Sequence, residues 1–559
     1  MRIALAQINS TIGDFSGNSK MILDFVQKAK NRADLILFPE LALPGFPPLD
    51  LLEEEHFIEG NIRTLDALIQ ELPESPAVGL GFISRNPHSQ NKKLLNTYGV
   101  ILHNELVFQQ GKTLLPCYDF FDESRYFYAA EKHSVFEFKG ERIGFAIGED
   151  MWHRIDAPGT FYETDPIREI LDQGAAILCT ASASPYVRGN HKARQELAEQ
   201  ISLKAKIPLI CVNAAGANDS LIMEGRSFAL NPVAGNTVSI SHAKAFDEDL
   251  IFWDSTDSQG TQTNENTGVY QCELDELEDA LVLGIRDYMK KCGFIRAHLG
   301  LSGGIDSALA AYLAVRAAGK ENVCGIGMPS RFSSRGSKDD AEDLAKNLGC
   351  RYEVVPIEPI YSAYLSALEG IFENRPFDLA EENLQARIRG VLLMAFSNKF
   401  NSMLLATGNK SELAMGYCTL YGDTNGALAP IGDVFKTDIF ALCNRINERS
   451  MAENGKVIIP LATIDKPPSA ELRPNQKDED SLPPYEVLDE ILKLILYENL
   501  TVDEIVKKGR DRELTEKIIR TMARSEFKRR QTPMILKVSK YTFGTGKRIP
   551  LARALQNQT

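Results

Sequence analysis

No two cysteines in this sequence are spaced as C-x-x-C, none is set beside histidine at zinc-ligand spacing, and the nine cysteines are an odd number. That argues against a disulfide framework and against a structural zinc site, and leaves reduced, mostly buried thiols. No apolar run approaches the roughly 18 residues that would span a bilayer. The opening Met1-Arg2-Ile3-Ala4-Leu5-Ala6-Gln7 passes straight into a strand-like segment, without the apolar stretch of a secretion signal. A cytoplasmic protein with no membrane role is the expectation. Positive charge is also short: 62 Lys and Arg stand against 76 Asp and Glu, for a net charge of −14, and the pI is near 5.3. Non-specific nucleic-acid binding is therefore not its main task. Internal repeats and low-complexity tracts are missing too. What remains is the composition of a globular enzyme, 559 residues with 44% hydrophobic side chains, 40 Gly and 26 Pro.

The first 245 residues alternate between strand and helix patterns. Ile3 to Gln7, Leu35 to Phe38, Ala77 to Ile83, Tyr98 to Leu102, Ile143 to Ile147, Ala175 to Cys179 and Pro208 to Val212 read as apolar strands. Met21, Ile22, Phe25, Val26 and Ala29 have helical spacing within Asn18 to Asn31, and His191 to Ala205 is a second helix. The pattern is α/β and layered. Residues 246–272 contain the polar run Asp254 to Thr267, which has almost nothing to bury and reads as a linker. A helix from Glu273 to Cys292 opens a second domain, 273–559. Within it, Asp465 to Pro484 is rich in proline and charge and reads as a mobile loop.

The strongest local signal is His298-Leu-Gly-Leu-Ser-Gly-Gly-Ile-Asp-Ser307, followed by an Ala/Leu-rich run. A strand, a glycine turn and a helix start place backbone N–H groups toward an anion. Gly303 and Gly304 permit close approach, and Ser302 and Ser307 add hydroxyls. Asp306 is out of place at an anion site unless it holds a divalent metal against phosphates. The sequence is not G-x-x-x-x-G-K-[ST], so this is not a Walker loop.

The S-G-G-I-D-S turn resembles the pyrophosphate loop of the N-type ATP pyrophosphatases. Met328-Pro-Ser-Arg-Phe-Ser-Ser334, Glu382-Asn-Leu-Gln-Ala-Arg387, Ala406-Thr-Gly-Asn-Lys-Ser-Glu412, Leu420-Tyr-Gly-Asp423, Val434-Phe-Lys-Thr437 and Ser525-Glu-Phe-Lys-Arg-Arg-Gln531 narrow the resemblance to the NAD synthetases. It implies amidation of deamido-NAD to NAD through an adenylated intermediate, with release of AMP and pyrophosphate. It also implies that Ser302, Gly303, Gly304, Asp306, Ser307, Thr407, Lys436 and Ser469 meet ATP. Asn383, Arg387, Glu412 and Lys528 would meet deamido-NAD, and Asp306 and Glu412 would bind Mg²⁺. A homo-oligomer is implied as well.

The front domain resembles the nitrilase, or carbon–nitrogen hydrolase, superfamily. Glu40 in Leu37-Phe-Pro-Glu-Leu41 and Lys112 in Gly111-Lys-Thr-Leu-Leu-Pro116 match two of its catalytic residues. The family's third is a cysteine before Glu-Asp-Met-Trp, and here Gly148 precedes Glu149-Asp-Met-Trp152. Glycine cannot form the thioester that splits glutamine. The implied glutamine-binding residues are Tyr118, Ser184 and Asn190, and Asn190 stands where relatives carry Lys or Arg. The expected fold is an α-β-β-α sandwich in front of a Rossmann-like parallel sheet. The nitrogen donor expected is free ammonia. The alternatives are glutamine use rescued by Cys117, five residues after Lys112, another amidotransferase-type ligase, or a non-catalytic scaffold.

Overall fold

The computed structural model describes residues 1–86, 93–153, 162–233, 237–256, 270, 272–373, 375–544 and 546–554. Most of the expected linker, 257–269 and 271, lies outside the described residues. The chain forms two compact units, Met1–Gln271 and Cys272–Thr559. No described helix is long and apolar enough to cross a membrane, and no disulfide joins any of the cysteines.

The first unit contains β1 (Arg2–Gln7), β2 (Leu35–Leu37), β3 (Ala77–Arg85), β4 (Leu94–Leu102), β5 (Glu105–Gly111), β6 (Val135–Phe138) and β7 (Glu141–Ile147). There follow β8 (Ile177–Ser182), β9 (Leu209–Asn213), β10 (Ala215–Asn218), β11 (Leu221–Glu224), β12 (Phe228–Val233), β13 (Thr237–His242) and β14 (Asp249–Asp254). Two six-stranded sheets result, in the orders β14-β1-β2-β3-β4-β5 and β13-β12-β9-β8-β7-β6. Each has three parallel strands at its centre and antiparallel strands outside.

Side-chain alternation along the strands explains the layering. Ile3 and Leu5 of β1 face a core shared with Ile143, Phe145, Ile177, Cys179 and Ile210 of the other sheet. Ala4 and Ala6 point the opposite way, to the helices Phe15–Ala29 and Glu55–Glu71, through Ile22, Phe25, Leu65 and Leu68. On the far side, Ala146, Leu178 and Leu209 pack with Ile170 and Ala198 of the helices Pro166–Asp172 and Asn190–Ala205. Helix, sheet, sheet and helix therefore stack in that order, as the resemblance implied. Strands apolar on both faces are what such a sandwich demands.

Several boundaries differ from the sequence reading; the strand expected from Tyr98 starts at Leu94, and two other shifts have a visible cause. The first helix begins at Phe15 rather than Asn18, because the Asp14 carboxylate accepts from Gly17 N at 2.9 Å and caps it early. The strand expected at Ala175 starts at Ile177, after a turn through Gly174 at φ +74°.

The second unit is built on β15 (Arg296–Gly300), β16 (Val323–Gly327), β17 (Arg351–Val354) and β18 (Ser402–Leu404), all parallel in the order β17-β16-β15-β18. The opening helix is Glu273–Lys291, with Cys292 as its C-cap. The stretch expected as a mobile loop contains few regular turns, but side chains pin it. Lys466 Nζ donates to Gly303 O and Asp340, and Gln385 Nε2 donates to Leu472 O.

Candidate active site

In the front unit Glu40 follows β2 on a segment pressed against β3. A β-carbon at Gly81 would stand 2.4 Å from Leu41 N and 2.6 Å from Pro39 O, so only glycine permits this approach. Tyr98 Oη donates to Phe38 O and fixes the segment from the other side. Glu40 Oε1 accepts from Lys112 Nζ and from Asn96 Nδ2, each at 2.7 Å. Lys112 Nζ also donates to Glu123 Oε1 at 2.7 Å. All four side chains are buried. Burial opposes the charge on Lys112, but the Glu123 and Glu40 carboxylates overcome it and hold the ammonium well above its ordinary range. Burial pushes Glu123 up to about 7, against the pull of Lys112 and with Glu40's charge adding to the rise.

Gly148 comes immediately after β7, at φ +49°. Its turn is fixed by Asp150, whose Oδ1 accepts from Thr113 N and Leu114 N and whose Oδ2 accepts from Ile147 N. The turn is thereby tied to the residues after Lys112. An ideal β-carbon on Gly148 would lie 2.4 Å from Glu40 Oε2 and 3.0 Å from Lys112 Nζ. A proton acceptor and a cation thus flank a position that supplies no side-chain atom.

The nearby Glu149 carboxylate accepts from Tyr118 Oη at 3.0 Å and from Tyr162 Oη at 3.1 Å. Burial raises the Glu149 pKa despite Lys112 and both phenols. Ser184 N donates to Asn213 Oδ1, and the exposed Asn190 starts the helix Asn190–Ala205. Among the described residues neither hydrogen-bonds to Glu40, Lys112 or Glu149. Cys117 is solvent-exposed, unlike Lys112. Glu123, Asn96 and Tyr162 were not singled out from the sequence.

In the second unit a cavity of about 400 Å³ opens at the carboxyl edge of the parallel sheet. Ser302, Gly304, Asp306, Ser307, Thr407 and Glu412 line it. Lys436 and Ser469 do so as well, and Ser469 Oγ donates to Gln476 O at 2.6 Å. Gly303 is not on that wall. Its φ is +81°, and a β-carbon there would stand 2.1 Å from Ser337 O, so the turn passes behind the wall against the helix Arg335–Leu348. Ser307 Oγ donates to Gly304 O at 2.9 Å and meets Ser302 Oγ at 3.1 Å, which closes the turn at the start of the helix Ile305–Ala318.

Asp306 accepts from Lys436 Nζ, and from Asn409 Nδ2 at 2.9 Å. Glu412 Oε1 lies 3.5 Å from Lys436 Nζ. Burial, then the Asp306 charge, pushes Glu412 up to about 8 against the pull of Lys436. Two carboxylates therefore share one buried ammonium. Like charges held this close, with hard oxygen ligands facing a cavity, suit a divalent cation such as Mg²⁺.

Asn383, Arg387 and Lys528 do not line the cavity. They converge instead on the segment beside it. Asn383 Oδ1 accepts from Thr419 Oγ1, Arg387 Nε donates to Leu420 O, and Lys528 Nζ donates to Gly416 O and Cys418 O. Arg389, absent from the sequence reading, also lines the cavity, and Asp489, likewise absent, bonds to the sequence neighbours of Glu412 and Lys436. Asp489 Oδ2 accepts from Thr437 N and Oγ1, each at 2.9 Å, and Oδ1 accepts from Ser411 Oγ.

The comparisons with known proteins agree with both halves. Residues 2–254 match the carbon–nitrogen hydrolase family model, and residues 277–532 match the NAD synthase model. A glutamine-dependent NAD(+) synthetase of Synechocystis is 46% identical over 564 residues, covering 100% of this chain and 99% of the relative. One from Aquifex aeolicus is 37% identical, covering 99% of each chain. The solved structure of glutamine-dependent NAD+ synthetase from Acinetobacter baumannii in complex with ADP is 33% identical, with a TM-score of 0.76, covering 100% of this chain and 99% of that one.

Proposed function

The chain belongs to the two-domain NAD synthetase family, and on that premise we propose that it amidates deamido-NAD to NAD with free ammonia as nitrogen donor. The observation that carries the ammonia reading is Gly148, a residue without a nucleophilic atom set against Glu40 and Lys112. In this reading Gly148 holds the position of the family's attacking cysteine, so no acyl-enzyme with glutamine can form. Among the described residues Cys117 makes no hydrogen bond to Glu40 or Lys112, whose partners are each other, Asn96 and Glu123.

The chemistry of the second unit then runs in two steps. A nicotinate carboxylate oxygen attacks the α-phosphorus of ATP, forms an acyl adenylate and expels pyrophosphate. The ammonia nitrogen attacks the acyl carbon, and AMP departs with the former carboxylate oxygen. The S-G-G-I-D-S turn offers backbone N–H groups and two hydroxyls to the phosphates. Lys436 sets a positive charge beside them, worth most where charge builds in the transition state. Asp306 and Glu412 would hold Mg²⁺, which when bound neutralises phosphate charge. Asn383, Arg387 and Lys528 would shape the deamido-NAD side by fixing the segment from Gly416 to Leu420.

The test is incubation of the purified chain with deamido-NAD, ATP, Mg²⁺ and ammonium chloride. NAD, AMP and pyrophosphate should appear in equal amounts. An absence of AMP refutes the reading.

A further inference from the structure

Arg389 lies on the helix Leu379–Phe400, where Ala386, Arg389 and Leu393 turn one face to the cavity. Its Nε donates to Met328 O at 3.0 Å, just past the end of β16. That bond fixes the guanidinium at the carboxyl edge of the sheet, in the wall of the cavity. Among the described residues neither Nη1 nor Nη2 has a hydrogen-bond acceptor, and no carboxylate lies within ion-pairing distance. Two of the cavity's lysines are arranged differently. Lys436 rests on Asp306, and Lys466 rests on Asp340 at 2.9 Å.

A half-buried guanidinium with two N–H₂ groups that have no protein acceptor is open to a ligand that enters the cavity. Burial lowers the Arg389 pKa to about 10, against the pull of Glu471 and Asp423, so it stays protonated at neutral pH. A fixed planar fork of donors matches paired oxygens of a phosphate or carboxylate.

We propose that Arg389 is a substrate-binding residue whose two terminal nitrogens grip anionic oxygens of a nucleotide seated in this cavity. This rests on the function proposed above. The oxygens are those of a phosphate group, belonging either to ATP or to the diphosphate of deamido-NAD.

The test is calorimetric titration of the full chain with ATP–Mg²⁺ and, separately, with deamido-NAD. Wild type, Arg389→Met and Arg389→Lys are compared, each checked for an unchanged circular dichroism spectrum. Arg389→Met should weaken one nucleotide about ten- to hundredfold and leave the other within twofold. Arg389→Lys should recover only part, since it keeps the charge and loses the fork. The nucleotide that weakens identifies the phosphate. Binding of both nucleotides to folded Arg389→Met within twofold of wild type would overturn the proposal. If Arg389→Met does not fold, Arg389→Lys decides alone: unchanged affinity for both nucleotides overturns it. Failure of the wild-type chain to bind either nucleotide overturns the proposed function, and the role of Arg389 with it.

Discussion

Glu40 Oε2 stands 2.4 Å from the point where a β-carbon on Gly148 would lie. The carboxylate has settled into the space that a side chain at 148 would need. Its other oxygen is held by Lys112 and Asn96, so it cannot retreat without breaking buried bonds. Gly148→Cys therefore meets overpacking of about 1–3 kcal/mol, in a left-handed conformation that only glycine adopts freely. The expected outcome is a lower unfolding midpoint and glutamate release from glutamine below about one hundredth of the ammonium-driven rate. Stability equal to wild type with brisk glutamate release would show that the pocket still accommodates the thiol.

The ion network behind that position sets a pH dependence. Glu123 titrates near 7 in the folded chain, above its ordinary value, because burial favours its neutral form. The folded state then holds a proton that the unfolded state has released, so this group's contribution falls as pH rises from about 4.5 to about 7. Glu123→Gln should remove that slope. Urea midpoints of the two proteins should diverge between pH 5 and pH 7.5, wild type losing more stability on the alkaline side. Parallel curves would mean that Glu123 is not the titrating group.

Removing the cation of the same network has a different signature. Lys112→Met leaves Glu40 and Glu123 buried without their shared partner, a loss of about 3–5 kcal/mol. Ammonium-driven NAD formation per folded molecule should stay within about twofold of wild type. A hundredfold loss in folded protein would tie this pair to synthesis.

Asp489 bridges Ser411 and Thr437, the neighbours in sequence of Glu412 and Lys436. Lys436 N also donates to Ser411 Oγ at 3.0 Å. Asp489 thus acts as a positioning residue for two side chains that line the cavity. Asp489→Asn should lower kcat about ten- to hundredfold and raise the Mg²⁺ concentration for half-maximal rate. A fall in melting temperature with kcat unchanged would make its role purely structural.

What the sequence disclosed and what it concealed have a common physical cause. Glu40 lies three residues past an apolar strand and Gly148 directly after one, and the S-G-G-I-D-S turn joins a strand to a helix, so a local pattern places each of them. Asn96 and Glu123 join Glu40 only through the folding together of segments far apart in the chain, and nothing local marks them. Arg389 follows Arg387 by two residues, which on a helix turns it to another face. Arg387 is exposed, whereas Arg389 enters the cavity. The early start of the first helix was concealed by a cap, Asp14, that lies before the apolar periodicity begins.

The nitrogen source is tested most directly by supplying unlabelled ammonium and [amide-¹⁵N]glutamine together with deamido-NAD, ATP and Mg²⁺, then weighing the product by mass spectrometry. NAD carrying only ¹⁴N in its carboxamide is the result expected of a chain with glycine at position 148. NAD enriched in ¹⁵N, with the enrichment abolished by Cys117→Ser, would contradict it.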